Sequence, residues 1–200
     1  FALIDPRIQR AFLMAMGKAH TAWSIGLSHL QRQAIYQDPH WKEGGYTAET
    51  APSQGLSLAR QIGMMTYRSP EDYEAKFGRD IREITNHLYY QVESYLDYQG
   101  QKLNKRFDAL SYERLTRSMD THDISRDRGS FKEVAKQLTI PIHVVGILSD
   151  ALYPISEQKD LAQLLPNGQF TALDSPYGHD AFLIEFDQLT HILSRFLATT

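Results

Sequence analysis

Apolar and polar positions along the chain fall into three stretches with different periods. Near the start, Ala11-Phe12-Leu13-Met14-Ala15-Met16-Gly17 is a short apolar run closed by glycine, which predicts a buried strand in preference to a helix fragment. From residue 20 to about 130, apolar positions recur instead at spacings of three and four. That spacing predicts helices over Trp23 to Tyr36, Leu56 to Tyr67, Pro70 to Phe77 and Val92 to Phe107, and another from Asp108 to about Met119. The connection Gln37 to Pro52 gathers Asp38-Pro39, Gly44-Gly45 and Pro52, all of which interrupt regular structure.

The third stretch begins at Ile140-Pro141-Ile142-His143-Val144-Val145-Gly146-Ile147-Leu148, a nearly continuous β-branched run suited to a strand buried on both faces of a parallel sheet. Ser149-Asp150 follows, then a helical pattern from Ser156 to Leu165 and a Pro166-Asn167-Gly168 turn. A short strand over Gln169 to Asp174 ends in the loop Ser175-Pro176-Tyr177-Gly178, and His179 opens a last helix through Leu197. Strand, helix, strand, helix with right-handed crossovers is an open α/β sheet. The expected organisation is residues 1–19 as the end of an N-terminal α/β core, 20–130 as a helical cap or lid, and 131–200 as a C-terminal α/β core.

Composition narrows the partners. At 200 residues and 42% apolar, the chain can bury a substantial core. The formal charge of -3 with no basic run argues against nucleic acid as a partner, which leaves small neutral or zwitterionic molecules. The sequence holds no cysteine, so disulfides, thiolate zinc sites and a cysteine nucleophile are excluded. With no signal-like start and no apolar run near the roughly 20 residues of a membrane span, the expected location is the cytoplasm, away from membranes.

In open α/β sheets, functional groups collect at the carboxyl ends of strands. Asp150 and His179 each follow a predicted strand, in the order Ser, then Asp, then His of α/β-hydrolases. A serine hydroxyl needs an imidazole to take its proton, and the imidazole needs a carboxylate to fix its tautomer. The plain alternative makes Asp150 a helix cap and His179 a loop histidine, and order alone leaves both open. No G-x-S-x-G elbow occurs in the sequence. Gly55-Leu56-Ser57-Leu58-Ala59 comes nearest, but it lacks the second glycine and lies in the helical block. In the order of the fold the elbow belongs before the Ala11 to Gly17 strand, so it is expected to precede Phe1. His122-Asp123 suits a cap or interhelical contact better than a site, and Trp23 and Trp41 suit packing.

Several blocks then carry a family resemblance. They include Thr21-Ala22-Trp23-Ser24-Ile25, Thr66-Tyr67-Arg68-Ser69, Val92-Glu93-Ser94-Tyr95-Leu96 and Asp120-Thr121-His122-Asp123-Ile124-Ser125-Arg126. The last are Gly146-Ile147-Leu148-Ser149-Asp150 and Ser175-Pro176-Tyr177-Gly178-His179-Asp180-Ala181-Phe182-Leu183. In this order they resemble the homoserine O-acetyltransferases, in particular fungal members, and the related serine and deacetylcephalosporin C acetyltransferases. The resemblance implies the C-terminal part of an α/β-hydrolase fold, an incomplete parallel sheet with an inserted helical cap. It implies Asp150 and His179 as triad acid and base, Asp180 as the carboxylate for the amino group of homoserine, and Arg60 and Tyr67 near the substrate carboxylate and acyl site. Arg60 and Tyr67 are seven residues apart, two helical turns, and so share a face of their helix. Arg68 is the second choice to Arg60.

The implied chemistry is double displacement for methionine biosynthesis, with acetyl-CoA as co-substrate, no bound cofactor and no metal. A homodimer through the helical cap is also implied. Because the serine and the oxyanion hole beside it are missing, the chain alone is expected to be inactive. Two other readings stay open: an esterase on the same fold, and a non-catalytic chain that needs an N-terminal complementing segment beside its Ala11 to Gly17 strand.

Overall fold

The computed structural model describes residues 2–198. In chain order its elements are β1 (Ala11–Met14), α1 (Ala22–Tyr36), α2 (Ser53–Tyr67), α3 (Pro70–Phe77), β2 (Ile81–Ile84) and β3 (Leu88–Tyr90). They continue as α4 (Gln91–Asn104), α5 (Ala109–Asp120), α6 (Phe131–Gln137), β4 (Ile142–Ile147), α7 (Ile155–Leu164), β5 (Gly168–Leu173) and α8 (Phe186–Ala198). Three 3-10 turns, Lys42–Gly44, Ala48–Thr50 and Gly178–Leu183, lie between them.

β4 explains the α/β unit, which comprises residues 2–19, 67–69 and 122–198. All six of its residues are buried, as a β-branched run with both faces covered requires. On one face Ile142 and Val144 pack with Ala135, Leu138, Leu161, Ala162 and Leu165 of the α6 and α7 side. On the other, Val145 and Ile147 pack with Ala15, Leu173, Ala181 and Leu189. The period of two in the strand therefore divides its side chains between two clusters. β4 is central in the parallel order β1-β4-β5, paired from Ala11↔Ile142 to Met14↔Val145 and from Ile142↔Gly168 to Ile147↔Leu173. This order brings the carboxyl ends of all three strands to one edge.

The helical unit, residues 20–66 and 70–121, has its own core of Ile35, Leu56, Ala59, Leu103 and Ala109. Thr21 caps α1 through the Ser24 N–H, and Asp108 caps α5 through the Ser111 N–H at 2.7 Å. A buried ion pair joins α1 to α5, with Arg32 Nη2 2.6 Å from Asp120 Oδ2. Trp41 packs between the rings of Tyr36 and Tyr46, as expected, whereas Trp23 is 57% exposed.

Three features depart from the pattern reading. β2 and β3 form an antiparallel hairpin where no element is predicted, and every residue of β2 is exposed, so no buried face imposes an alternation. α6 is only seven residues long, too short to display a helical period. The last helix is interrupted: the turn Gly178–Leu183 holds His179, and α8 restarts at Phe186.

Candidate active site

The site grows from the carboxyl end of β4. The chain leaves Ile147, the Asp150 N–H donates back to its carbonyl at 3.3 Å, and the Asp150 side chain turns inward with no exposed surface. Its Oδ1 accepts the N–H groups of Leu152 and Tyr153 at 2.8 and 2.9 Å. Its Oδ2 lies 2.9 Å from His179 Nδ1. One carboxylate thus makes the local turn that the plain reading of Asp150 assigns to it and also the contact that the triad reading requires. A carboxylate only accepts, so Nδ1 carries the hydrogen and Nε2 is the ring nitrogen that can take a proton.

Rings surround the histidine. The centroids of Tyr153, Phe182 and Tyr67 lie 5.5, 5.4 and 6.1 Å from that of His179. Burial pushes the Tyr153 hydroxyl above its ordinary pKa, and the charges of Asp150 and Glu157 add to the rise. Glu157 is raised as well, first by burial and then by Asp150 and Asp160, against the opposing pull of Lys18. Perturbed groups of this kind cluster at functional sites.

The loop that carries the histidine is built to close tolerance. Gly178 has φ +65°, and a Cβ there would stand 2.6 Å from the backbone of Arg68 and Ser69, so only glycine fits. Ser69 Oγ donates to the Pro176 carbonyl. The segment 67–69 at the end of α2 thereby belongs to the α/β unit and sets Tyr67 beside the imidazole.

The structure brings Asp150, His179 and Tyr67 together, and Asp180 follows His179 in the same 3-10 turn. Arg60 lies on α2 within the helical unit, two turns before Tyr67. Ser57 is an interior residue of α2 with Gly100 of α4 packed onto it, a helix contact and not a strand-to-helix elbow. His122 Nε2 is 3.1 Å from the Gly17 carbonyl oxygen and fastens the loop after β1, whereas Asp123 Oδ1 accepts from the N–H and Oγ of Ser125 and holds its own turn. Sequence reasoning misses Ser149, Tyr153 and Phe182, although each stands within three residues of Asp150 or His179. Among the described residues no group of three or more histidines and carboxylates is arranged to hold a metal, and no helix is long and apolar enough to cross a membrane.

A family model described as the alpha/beta hydrolase fold matches residues 1–186. A homoserine O-acetyltransferase of Chlorobium chlorochromatii is 49% identical over 199 residues, 98% of this chain and 56% of that protein. One from Salinibacter ruber is 46% identical over 193 residues, 96% of this chain and 55% of that protein. The chain therefore spans about half the length of the curated relatives it matches. Among solved structures, homoserine O-acetyltransferase from Bacillus anthracis superposes with a TM-score of 0.89 at 21% identity, covering 98% of this chain and 55% of that one. Esterase E22 superposes with a TM-score of 0.85 at 15% identity, covering 95% and 54%. At these identities the structural likeness speaks for the fold alone.

Proposed function

Starting from the fact that the chain belongs to the alpha/beta hydrolase fold family, we propose that it supplies the acid, the base and the acceptor-binding groups of an O-acetyltransferase that moves acetyl from acetyl-CoA to the hydroxyl of L-homoserine. The single observation that carries this reading is the buried Asp150–His179 pair at the carboxyl edge of the sheet. The identity of 49% to a homoserine O-acetyltransferase supports the acyl acceptor. An esterase would use the same pair with water as acceptor.

In this reading a serine from a G-x-S-x-G elbow outside these 200 residues is the nucleophile. His179 Nε2 takes the serine proton as Oγ attacks the thioester carbonyl of acetyl-CoA, and the C–S bond breaks as CoA leaves with that proton. His179 then takes the proton of the homoserine hydroxyl, whose oxygen attacks the acyl-serine; the C–Oγ bond breaks, and His179 returns that proton to the departing serine oxygen. Asp150 holds the imidazole in the Nδ1–H tautomer and stabilises its charged form. Asp180 receives the ammonium group of homoserine, and Arg60 and Tyr67 receive its carboxylate and border the acyl group. The ring contact of Tyr67 with the base supports the second task. A dimer through the helical unit belongs to the same proposal.

Intact mass and N-terminal sequencing of the native protein, followed by an acetyl-transfer assay, test the reading. Acetyl transfer by a protein whose upstream segment holds the elbow supports it. Rapid transfer by the isolated 200-residue chain overturns the assignment of the nucleophile, since loss of such a serine costs about a millionfold. Asp180→Ala is expected to raise the KM for homoserine by about tenfold or more, as loss of a charged hydrogen bond of 1.5–3 kcal/mol implies. An unchanged KM removes Asp180 from the acceptor site.

A further inference from the structure

Ser149 stands one residue before the acid and makes two hydrogen bonds to the loop that carries the base. Its Oγ donates to the Ser175 carbonyl at 2.6 Å and accepts the Gly178 N–H at 3.0 Å. These two groups bracket the loop Ser175 to Gly178 immediately before His179. The next side chain, Asp150, makes the 2.9 Å contact to His179 itself. Two consecutive residues just after β4 therefore hold the partner loop at residues 175, 178 and 179. The hydroxyl is half-buried and uses its only hydrogen and one lone pair in this way.

We propose that Ser149 is a positioning residue that sets the distance between the triad acid and base by clamping both ends of the histidine loop. The argument is one of leverage. β5 ends at Leu173, and the left-handed Gly178 gives the backbone a sharp bend directly before the base. A small shift of residues 175–178 moves the imidazole relative to a carboxylate that is itself fixed by the Leu152 and Tyr153 N–H groups. Ser69 holds the same loop at Pro176. Ser149 shares a peptide bond with the acid, so its hydroxyl makes the positions of the two loops depend on one another. Its role in turnover rests on the proposed acetyl transfer, whereas its role in the geometry does not.

The test is the Nδ1–H proton of His179, observed by NMR in the chain labelled with nitrogen-15 histidine and assigned through its loss in His179→Gln. In Ser149→Ala this proton should exchange with water about tenfold faster or disappear, as expected for loss of a hydrogen bond that restrains the pair. Ser149→Thr, which keeps the hydroxyl, should retain it, and the equally large Ser149→Val should lose it, so the Thr and Val pair decides the matter if the alanine variant does not fold. A proton unchanged in Ser149→Ala or in Ser149→Val overturns the proposal, and so does one lost in Ser149→Thr, since packing would then be the cause. In the native protein carrying its elbow, Ser149→Ala should lower kcat by about 10- to 100-fold with the homoserine KM unchanged. If the proton behaves as expected and no acetyl transfer is found in any form, the activity reading fails while the clamp stands.

Discussion

At the residue scale the most informative atoms are the two oxygens of Asp150. Oδ1 is committed to backbone N–H groups and Oδ2 to the imidazole, so an asparagine would keep the first set of contacts and invert the second. Its side-chain oxygen would stay on Leu152 and Tyr153, and its NH₂ group would face Nδ1. That arrangement forces Nδ1 to accept and moves the ring hydrogen to Nε2, the nitrogen needed as base. Asp150→Asn in the complete protein is therefore expected to lower kcat by about 10⁴-fold. Its urea midpoint should stay close to that of the parent, because the turn contacts survive. A variant that loses its fold together with its activity would show Asp150 to be mainly a structural cap.

At the element scale, α2 and α4 show how the serine of a G-x-S pattern can serve packing alone. A Cβ on Gly100 would stand 2.1 Å from Ser57 Oγ, 2.8 Å from the Ser57 carbonyl oxygen and 3.1 Å from its Cα. The hydroxyl can rotate away, but the backbone atoms cannot, so Gly100→Ala must push α4 off α2. A cost of about 1–3 kcal/mol is expected, read as a lowered urea midpoint by circular dichroism. Adding Ser57→Gly should restore only part of the loss, since the carbonyl remains. Full restoration would assign the clash to the hydroxyl. The same scale shows what is legible in the sequence. β4 and α7 are read nearly to the residue, because a β-branched run and a 3.6 period reflect burial directly. The hairpin β2–β3 has no buried face in β2 and leaves no such mark. α6 carries a local signal, the Ser130 and Glu133 capping box, which periodicity passes over in seven residues. Asp150 and His179 are legible from strand order, and the proximity of Tyr67 to His179 is implied only by the family resemblance. The Ser149 clamp is not legible, because hydrogen bonds between loops have no period.

At the scale of the whole molecule the two units should respond to acid in different windows. In the helical unit, Asp38 pays a burial penalty that is outweighed by the N–H groups of Gly55 and His40 and by the His40 ring, so its pKa lies below the ordinary value. Glu113 is likewise lowered: hydrogen bonds from Tyr36 and Arg117 outweigh its burial. A carboxyl group lowered by folding contributes stability that is present above its unfolded pKa of about 4 and is lost as pH falls through the folded value. The α/β unit contains a different group. His143 on β4 is buried, its Nε2 is 2.9 Å from Thr171 Oγ1, and burial lowers its pKa below the ordinary 6.5 despite the opposing contact with Gln169. Arg195 and His191 line the same cavity. The unfolded chain takes up a proton at this residue near pH 6.5, and the folded chain takes it up only at lower pH. Stability from His143 is thus complete above about pH 6.5 and declines as pH falls below that value. Hydrogen exchange at pH 5 against pH 7, corrected for intrinsic rates, should show earlier opening in β4, β5 and α8 and unchanged protection in α1, α2 and α5. His143→Gln should flatten the difference, and because Glu157 is present in both proteins its own rise cancels from the comparison. An equal pH response in the two units, or one that survives His143→Gln, would mean that groups other than His143 govern acid sensitivity of the sheet.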